Sequence, residues 1–443
     1  MRPRLKVLRH LKDYQKDDFA YSLWKTHGET KMFELAIIGA WAEFAVRWLH
    51  VVTAIAWIGS SFYFIALDLG LRKTPDLPKG AHGEEWQVHG GGFYHIQKYL
   101  VAPATLPEHL TWFKWESYMT WISGFALMVL VYYLGAEFYL IDPAVMELSV
   151  PGAIALSIGS LALGWVIYDQ ICKRFVNSNQ TLVMIALFVV LVGMSYFYTS
   201  VFTGRAALLH LGAWTATIMT ANVFMIIMPN QRIVVKDLQG ARTPDPKYGK
   251  IAKQRSTHNN YLTLPVIFLM LSNHYPLAFA TQYAWIIASL VFLMGVTIRH
   301  YFNTMHAGTG NPTWTWAATA LIFILIMWLS IAPAPPQDRD EDLASLTGTA
   351  AQFAQAEDFE DVYFTVAGRC SMCHAQNPGY PGIRWAPRGL VLETEAQVAR
   401  AATQIYLQAA RSLAMPPANV SWMEPEERDL IRRWYQDVTG TQG

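Results

Sequence analysis

The chain has 443 residues, of which 53% are hydrophobic, and its formal net charge is only +1. This balance of charge argues against a nucleic acid-binding protein, which would carry a basic surface. The 17 tryptophans and 21 tyrosines instead suit the aromatic belts of a protein that lies in a lipid bilayer.

Eight apolar runs are long enough to cross a bilayer, and each is predicted to be a membrane-spanning helix. The sixth run is short and contains Pro265. The runs cover residues 39–67, 117–136, 150–171, 181–202, 206–228, 259–275, 278–298 and 313–333. The predicted fold class is therefore all-α, and its first part is a polytopic helical membrane domain over residues 32–334. No cleavable signal peptide precedes the first run, so that run would direct insertion.

Ionisable side chains inside the apolar runs are candidates for function, because a charged group or an imidazole is costly in a membrane. The first run carries Glu43, Arg47 and His50 at helical spacing, so the glutamate and the arginine can pair. His50 and His210 fall at similar predicted depths, which suits two axial ligands of a haem b. The alternative is two histidines that are hydrogen-bonded to neighbouring helices.

A second polar group falls at the opposite side of the predicted membrane domain. Its glycines permit close approach of a ligand, its aromatic rings can stack on a flat heterocycle, and its cations can hold an anion. The alternative is an interfacial loop whose aromatic and basic residues lie at the lipid headgroups. The group comprises His82, His89, Gly90, Gly91, Gly92, His95, His109, Trp112, Phe113, Lys114, Trp115, Glu116, His258, Arg299, His300 and His306.

The segment Cys370-Ser371-Met372-Cys373-His374 reads C-x-x-C-H, the attachment motif of c-type haem. Cys370 and Cys373 lie about one helical turn apart, so each can form a thioether to the haem, and His374 can then ligate the iron. A thioredoxin-like pair or a zinc half-site is disfavoured, because the chain has no second C-x-x-C and no βαβ pattern around the motif. The motif predicts electron transfer and a location outside the cytoplasm. Cys172 is the remaining cysteine and is predicted to be a structural thiol.

The region around this motif resembles a small class I cytochrome c domain, predicted over residues 358–443. Residues 335–357, which follow the last apolar run, are predicted to form a linker that begins with proline-rich and acidic sequence. Within the domain, residues 358–368 and 424–438 have the spacing and start signals of two helices that pack together.

The sixth iron ligand is predicted to be Met415. It is followed by two prolines, as in the loop that supplies a methionine to the haem iron of cytochromes c. Met372 and Met423 are the alternatives. Ligation by histidine and methionine raises the reduction potential and suits an electron acceptor.

The position of the haem predicts the orientation of the chain. Haem c is attached outside the cytoplasmic membrane, so with eight spans both ends of the chain are outside. The positive-inside rule agrees, because the predicted outer loops carry only Arg205, at an edge. Residues 1–31 disagree, since they contain eight lysines and arginines. Translation from Met32 would remove the conflict, so residues 1–31 are predicted to be an extension; the alternative is a basic tail that is simply translocated.

The segment from Arg47 to Phe64 closely resembles the first helix of the bacterial membrane urate oxidases (urate hydroxylases) that are fused to cytochrome c. The combination of this segment with the haem motif makes the resemblance specific. Residues 89–94 and 112–116 are similar too, and the architecture matches from about residue 34 onward. The resemblance implies oxidation of urate to 5-hydroxyisourate in purine breakdown. It also implies a protein of the bacterial cytoplasmic (inner) membrane, with its haem c on the periplasmic side. The electron acceptor would be a cytochrome oxidase or a soluble cytochrome.

The resemblance brings no settled catalytic residues, so the candidates follow from the chemistry. Urate is a planar anion, and its oxidation needs a cation or N–H donors, a base and an electron acceptor. The candidates are Arg47, Lys114, Arg299 and His300.

Two other functions compete with this one. A respiratory electron-transfer subunit would need its membrane domain only as an anchor, and the number of spans and the buried polar residues argue against it. A transporter or sensor would predict discontinuous helices in paired repeats, and no internal repeat is detectable.

Overall fold

The computed structural model describes residues 41–99, 105–142, 145–175, 180–331, 343–381 and 390–440, with Gly39, Pro103, Ile383, Ala386 and Pro387. The predicted extension at residues 1–31, the predicted start at Met32 and residues 332–342, which include the end of the last apolar run, lie outside the described residues. The extension and the start site therefore stay predictions.

Six described helices are long and apolar enough to cross a membrane. Each contains or overlaps one of the predicted runs. The six are α1 (Trp41–Gly70), α4 (Val150–Arg174), α5 (Gln180–Thr199), the continuous α6 (Gly204–Ala221) and α7 (Met228–Gln239), α9 (Ala284–His306) and α10 (Trp314–Ile331).

The other two predicted runs are helical but more polar. Helix α2 (Trp115–Leu127) continues as a π-helical turn to Tyr133, and α3 (Ala136–Tyr139) is a single turn. Helix α8 (Pro246–Ser272) begins thirteen residues before the predicted run, because its first half is polar yet still helical. The structure therefore shows six candidate spans, and the count of eight stays a prediction.

The long first loop contains a β-hairpin, which the all-α prediction missed. Strands β1 (Ala81–His89) and β2 (Gly92–Tyr99) pair antiparallel. Gly90 and Gly91 form the turn with φ angles of 58° and 80°, a conformation that glycine adopts without steric cost. The glycines predicted to approach a ligand thus have a structural role in the hairpin turn.

The core of the membrane domain lies where α4, α5, α6 and α9 meet. Helices α4 and α6 approach most closely at Gly164, over which the indole of Trp214 lies. A Cβ atom on residue 164 would be only 1.7 Å from the indole Nε1. Small residues at helix crossings allow such close approach in membrane bundles.

Gly164→Ala is expected to lower the thermal unfolding midpoint of the purified protein, because the added methyl group collides with Trp214. Overpacking of a core typically costs about 1–3 kcal/mol. Gly159→Ala on the same helix is the matched control, since a Cβ there meets nothing within 4 Å. Equal unfolding midpoints for the two variants in detergent would contradict this packing.

The C-terminal residues form a second hydrophobic core. The two predicted helices are present in it, and Trp434 lies over Phe359 with 6.1 Å between ring centroids. The indole Nε1 of Trp434 donates to the carbonyl of Phe353 at 3.1 Å. Because Phe353 belongs to the stretch predicted as linker, the packed region begins earlier than predicted. The helices are α11 (Gly348–Ala354), α12 (Phe359–His374), α13 (Glu395–Arg400), α14 (Ala402–Ile405) and α15 (Pro425–Thr439).

Candidate functional site

Buried polar side chains gather at one end of the membrane helices, the end at which α4 and α9 finish and α8 begins. We call this the polar end. Neighbouring residues of α8 belong to two clusters at this end. Arg255, His258 and Asn259 face α4 and the π-helical turn that follows α6. Asn260 faces α9. Polar groups buried among membrane helices are candidates for function.

The first cluster is the arginine–aspartate cluster, which we define as Tyr168, Asp169, Asn222, Arg255 and His258. Arg255 donates to Asp169 at 2.8 Å, and both side chains are buried. The Tyr168 hydroxyl lies 2.8 Å from Nδ1 of His258, and Asn222 donates to the same hydroxyl at 3.0 Å. Arg255 is thus a buried cation with its own carboxylate partner.

The second cluster is the arginine–amide cluster, which we define as Phe62, Asn260, Arg299 and Asn303. Arg299 donates to Oδ1 of Asn260 at 3.2 Å and to Oδ1 of Asn303 at 3.0 Å. Its guanidinium carbon lies 4.2 Å from the centroid of the Phe62 ring, a cation–π contact. Arg299 is 5% exposed, and none of its contacts among the described residues is a carboxylate.

Asn260 adds an unsatisfied donor beside this cation. The side chain is fully buried, yet Nδ2 has no hydrogen-bond partner among the described residues. Leaving a buried charge or a buried donor unpaired is costly. The two groups together therefore suit an anionic ligand that also accepts a hydrogen bond.

Of the four predicted catalytic candidates, only Arg299 belongs to a buried cluster. Arg47 has a partly exposed side chain and pairs with the glutamate one turn before it, as its spacing predicts. Lys114 lies 5.7 Å from the centroid of the neighbouring tryptophan ring at the start of α2. His300 faces a tryptophan of α10, away from the amides that contact Arg299.

The structure does not bring the two predicted haem b ligands together. His210 is fully buried, and both ring nitrogens are bonded at 2.8 Å, one to a backbone carbonyl of α6 and one to the hydroxyl of Ser157. His50 lies against Gly124, whereas His210 contacts Tyr132, and these positions are about 12 Å apart along the α2 axis at 1.5 Å per residue. His210 thus fits the alternative of a hydrogen-bonded bundle histidine.

His50 retains one feature of a ligand. Its Nδ1 donates to the carbonyl of Thr120 at 2.9 Å, the kind of hydrogen bond that orients a metal-binding imidazole. Haem b ligation by His50 stays a prediction.

Cys370, Cys373 and His374 lie at the C-terminal end of α12. The Nδ1 of His374 donates to the carbonyl of Leu390 at 2.9 Å, which orients the ring and fixes the tautomer whose Nε2 can bind iron. Burial raises the pKa of the Cys370 thiol to about 12 and raises the pKa of the Cys373 thiol as well. Raised pKa values disfavour a redox-active thiol pair.

The methionines differ in how they are placed. Met423 is 2% exposed inside the C-terminal core, and Met372 is 41% exposed at the surface. Met415 is partly buried at the edge of the core, and its carbonyl accepts from Arg428 at 2.9 Å. A ligating thioether must reach a haem beside the core, so this placement fits Met415 best. Among the described residues, no group of three or more His, Cys, Asp or Glu side chains could hold a bare metal ion.

Asn260, Asn303 and Phe62 were not predicted from the sequence. The available signal was weak: Asn303 follows Arg299 by four residues, and Asn260 stands at the boundary between the polar and apolar halves of α8. Their partners come from three separate helices, so no single spacing reveals the arrangement.

The six candidate spans and their buried clusters are consistent with a multi-pass membrane protein. Residues 36–330 match the urate oxidase N-terminal family, which is more than half of the chain. The chain therefore belongs to this family, as the resemblance of its first helix implied. The matched region contains both buried clusters and ends before the C-terminal helices. Comparisons with curated proteins and with solved structures give no match.

Proposed function

We propose that the membrane domain oxidises urate to 5-hydroxyisourate and that a haem c on the C-terminal helices accepts the electrons. Membership of the urate oxidase N-terminal family supports a urate-related function. The observation that carries the proposal is Arg299, a buried cation without a carboxylate partner among the described residues. Urate is a monoanion near neutral pH, so it supplies the charge that this site lacks.

The chemistry assigns separate roles to the two parts of the chain. The urate monoanion and one water give 5-hydroxyisourate, one proton and two electrons. Arg299 and Asn260 would bind and orient the anion, and the low-dielectric surroundings strengthen these contacts. The site must also hold the ring where water can reach C5.

The C-terminal residues fit the electron acceptor. Cys370 and Cys373 would form the thioethers, and His374 and Met415 would ligate the iron. When bound, haem c takes up electrons one at a time and passes them to a respiratory acceptor such as a cytochrome oxidase or a soluble cytochrome. Two electron transfers are therefore required for each urate.

The proposed location is the bacterial cytoplasmic membrane, with eight spans and the haem c on the periplasmic side. The polar end then faces the cytoplasm, where the basic loops lie. Electrons from urate would have to cross the membrane to reach haem c. A haem b at His50 would shorten that path, which is the functional reason to keep it as a prediction.

Anaerobic addition of urate to the oxidised protein tests the proposal. Urate is expected to reduce the haem c, with the sharpened α-band of ferrous cytochrome c as the readout. A quinol is the control reductant. Reduction by quinol but not by urate would contradict the proposal and favour a respiratory electron-transfer subunit.

A further inference from the structure

Helices α1 and α9 lie side by side at the polar end, and we call their contact the α1–α9 seam. At one level, Phe62 of α1 stacks on Arg299 of α9. Two turns further along α1, a Cβ placed on Gly70 would lie 4.0 Å from the carbonyl oxygen of His306. Residues seven or eight apart share one face of a helix, so both levels lie on the same face of α1 and on the same face of α9.

The β-hairpin brings a carboxylate to the second level. Glu85 of β1 reaches Gly70, where its Oε2 would be 3.0 Å from a Cβ atom. Its Oε1 accepts a hydrogen bond from Gln87 at 3.0 Å, whereas Oε2 is buried without a partner among the described residues. The missing side chain at Gly70 leaves the room that this carboxylate occupies.

The α1–α9 seam therefore has an unsatisfied buried donor near one level and an unsatisfied buried acceptor at the other. The donor is Asn260 Nδ2 beside Arg299, and the acceptor is Glu85 Oε2. From Arg299 to His306 the α9 axis rises about 10 Å, at 1.5 Å per residue. A planar bicyclic heterocycle with a hydrogen bond of about 2.9 Å at each edge bridges such a span.

We propose that the α1–α9 seam is the urate-binding cleft and that Glu85 binds the N–H edge of the purine and takes up its proton. This inference rests on the proposed function, because it names the site and the base for that reaction. Arg299 and Asn260 would hold the carbonyl edge of the anion. Urate has both edges, so the pairing also selects against purines that lack an N–H group facing Glu85.

The proton and electron balance closes with this assignment. The urate monoanion would lose one N–H proton to Glu85 Oε2 and two electrons, one at a time, to the proposed haem c, which the respiratory acceptor would re-oxidise between the two transfers. A neutral oxidised purine would remain. Water then adds its hydroxyl to C5 and its proton to a ring nitrogen, which gives 5-hydroxyisourate. Glu85 returns its proton to solvent at the polar end.

Charged and titratable side chains on the elements around Glu85 could pair with its carboxylate in place of the purine N–H group. On α1, Asp68 is paired with Lys98 of β2. On α9, His306 presents its backbone carbonyl to Gly70 and caps the seam. Among the described residues, the carboxylate of Glu85 accepts from Gln87 and forms no ion pair with a cation.

Glu85→Gln is expected to lower kcat for urate-dependent haem c reduction by about 100-fold, the usual contribution of a positioned general base. The glutamine keeps the shape of the side chain, so KM should change far less than kcat. Glu85→Asp should restore part of the lost kcat. The measurement is stopped-flow reduction of haem c by urate under anaerobic conditions.

Glu84→Gln is the matched control, because the neighbouring carboxylate points to the other face of the hairpin. There it accepts from Thr74 and pairs with His95 at 2.7 Å, contacts that hold the pKa of Glu84 below its usual range. It should behave like the wild type. A Glu85→Gln variant with wild-type kcat would overturn the inference, and so would an equal loss in Glu84→Gln.

Failure of the proposed function gives a different result. In that case wild-type haem c would not be reduced by urate, although ascorbate would still reduce it. Equilibrium dialysis with labelled urate would then measure urate affinity independently of electron transfer, and so test the cleft by itself. Urate affinity unchanged by Glu85→Ala and by Asn260→Leu would overturn the cleft.

Discussion

Arg299→Gln is expected to slow urate-dependent reduction of haem c by about 100-fold or more. The glutamine can still hydrogen-bond to Asn260, but it removes the positive charge that would meet the urate anion. A hydrogen bond to a charged group contributes about 1.5–3 kcal/mol, and removal of one partner of a buried ion pair costs about 3–5 kcal/mol. Each 1.4 kcal/mol corresponds to a factor of ten, so a loss of this size is readily measured by stopped-flow spectroscopy.

Two controls separate this loss from general damage. Arg47→Gln should leave the rate unchanged, because Arg47 is partly exposed and paired with Glu43. The thermal unfolding midpoint of Arg299→Gln should not fall, because a buried cation without a carboxylate partner does not stabilise the fold. A wild-type rate in Arg299→Gln, or an equal loss in Arg47→Gln, would contradict the role given to Arg299.

Replacing both Cys370 and Cys373 by alanine is expected to remove the covalent haem and all urate-dependent electron uptake. The thioethers would be lost, while the membrane domain and its urate affinity would remain. Haem-stained denaturing gels and pyridine haemochrome spectra measure the first effect, and equilibrium dialysis measures the second. Covalent haem in the double variant would contradict the assignment.

Cys172→Ala is the control for this experiment. Cys172 is buried on α4, where its sulfur lies 3.9 Å from Nδ1 of His258, so its loss should leave the haem c content unchanged. The same spectra separate haem b from haem c. A c-type spectrum alone would remove the prediction that His50 ligates a second haem.

The membrane helices were predictable because each is a continuous apolar run, and the bilayer sets the length of such runs. Helix α8 shows where this signal fails. Its first half is polar because Arg255 and its neighbours face partners inside the bundle, so hydropathy alone places the helix start too late. The hairpin is not predicted because Gly90, Gly91 and the adjacent aromatic residues suit an irregular loop equally well, whether it binds a ligand or lies at the lipid headgroups.

The two parts of the candidate site differed in how far the sequence could predict them. Cys370, Cys373 and His374 are adjacent along the chain, so their pattern alone carries the haem prediction. Arg299 is one of four candidate catalytic residues, and its burial and its lack of a carboxylate partner among the described residues separate it from the others. Asn260 and Glu85 come from different elements, and their unsatisfied atoms emerge only when the helices and the hairpin pack.

The haem b prediction shows the same limit. Equal depth along two separate apolar runs suggested that His50 and His210 face each other. In the structure the hydroxyl of Ser157 is hydrogen-bonded to one ring nitrogen of His210. His50 lies against Gly124 of α2, whereas His210 contacts Tyr132 in the π-helical turn that follows α2. Hydrogen-bond partners and helix offsets of this kind are not visible in hydropathy.

The most direct test of the central claim is an anaerobic titration of the oxidised protein with urate, followed by haem c absorbance and by chromatography of the purine. The account predicts that two haem c groups are reduced for each urate consumed and that 5-hydroxyisourate appears. Haem c that stays oxidised while urate is unchanged, although ascorbate reduces it fully, would contradict the account.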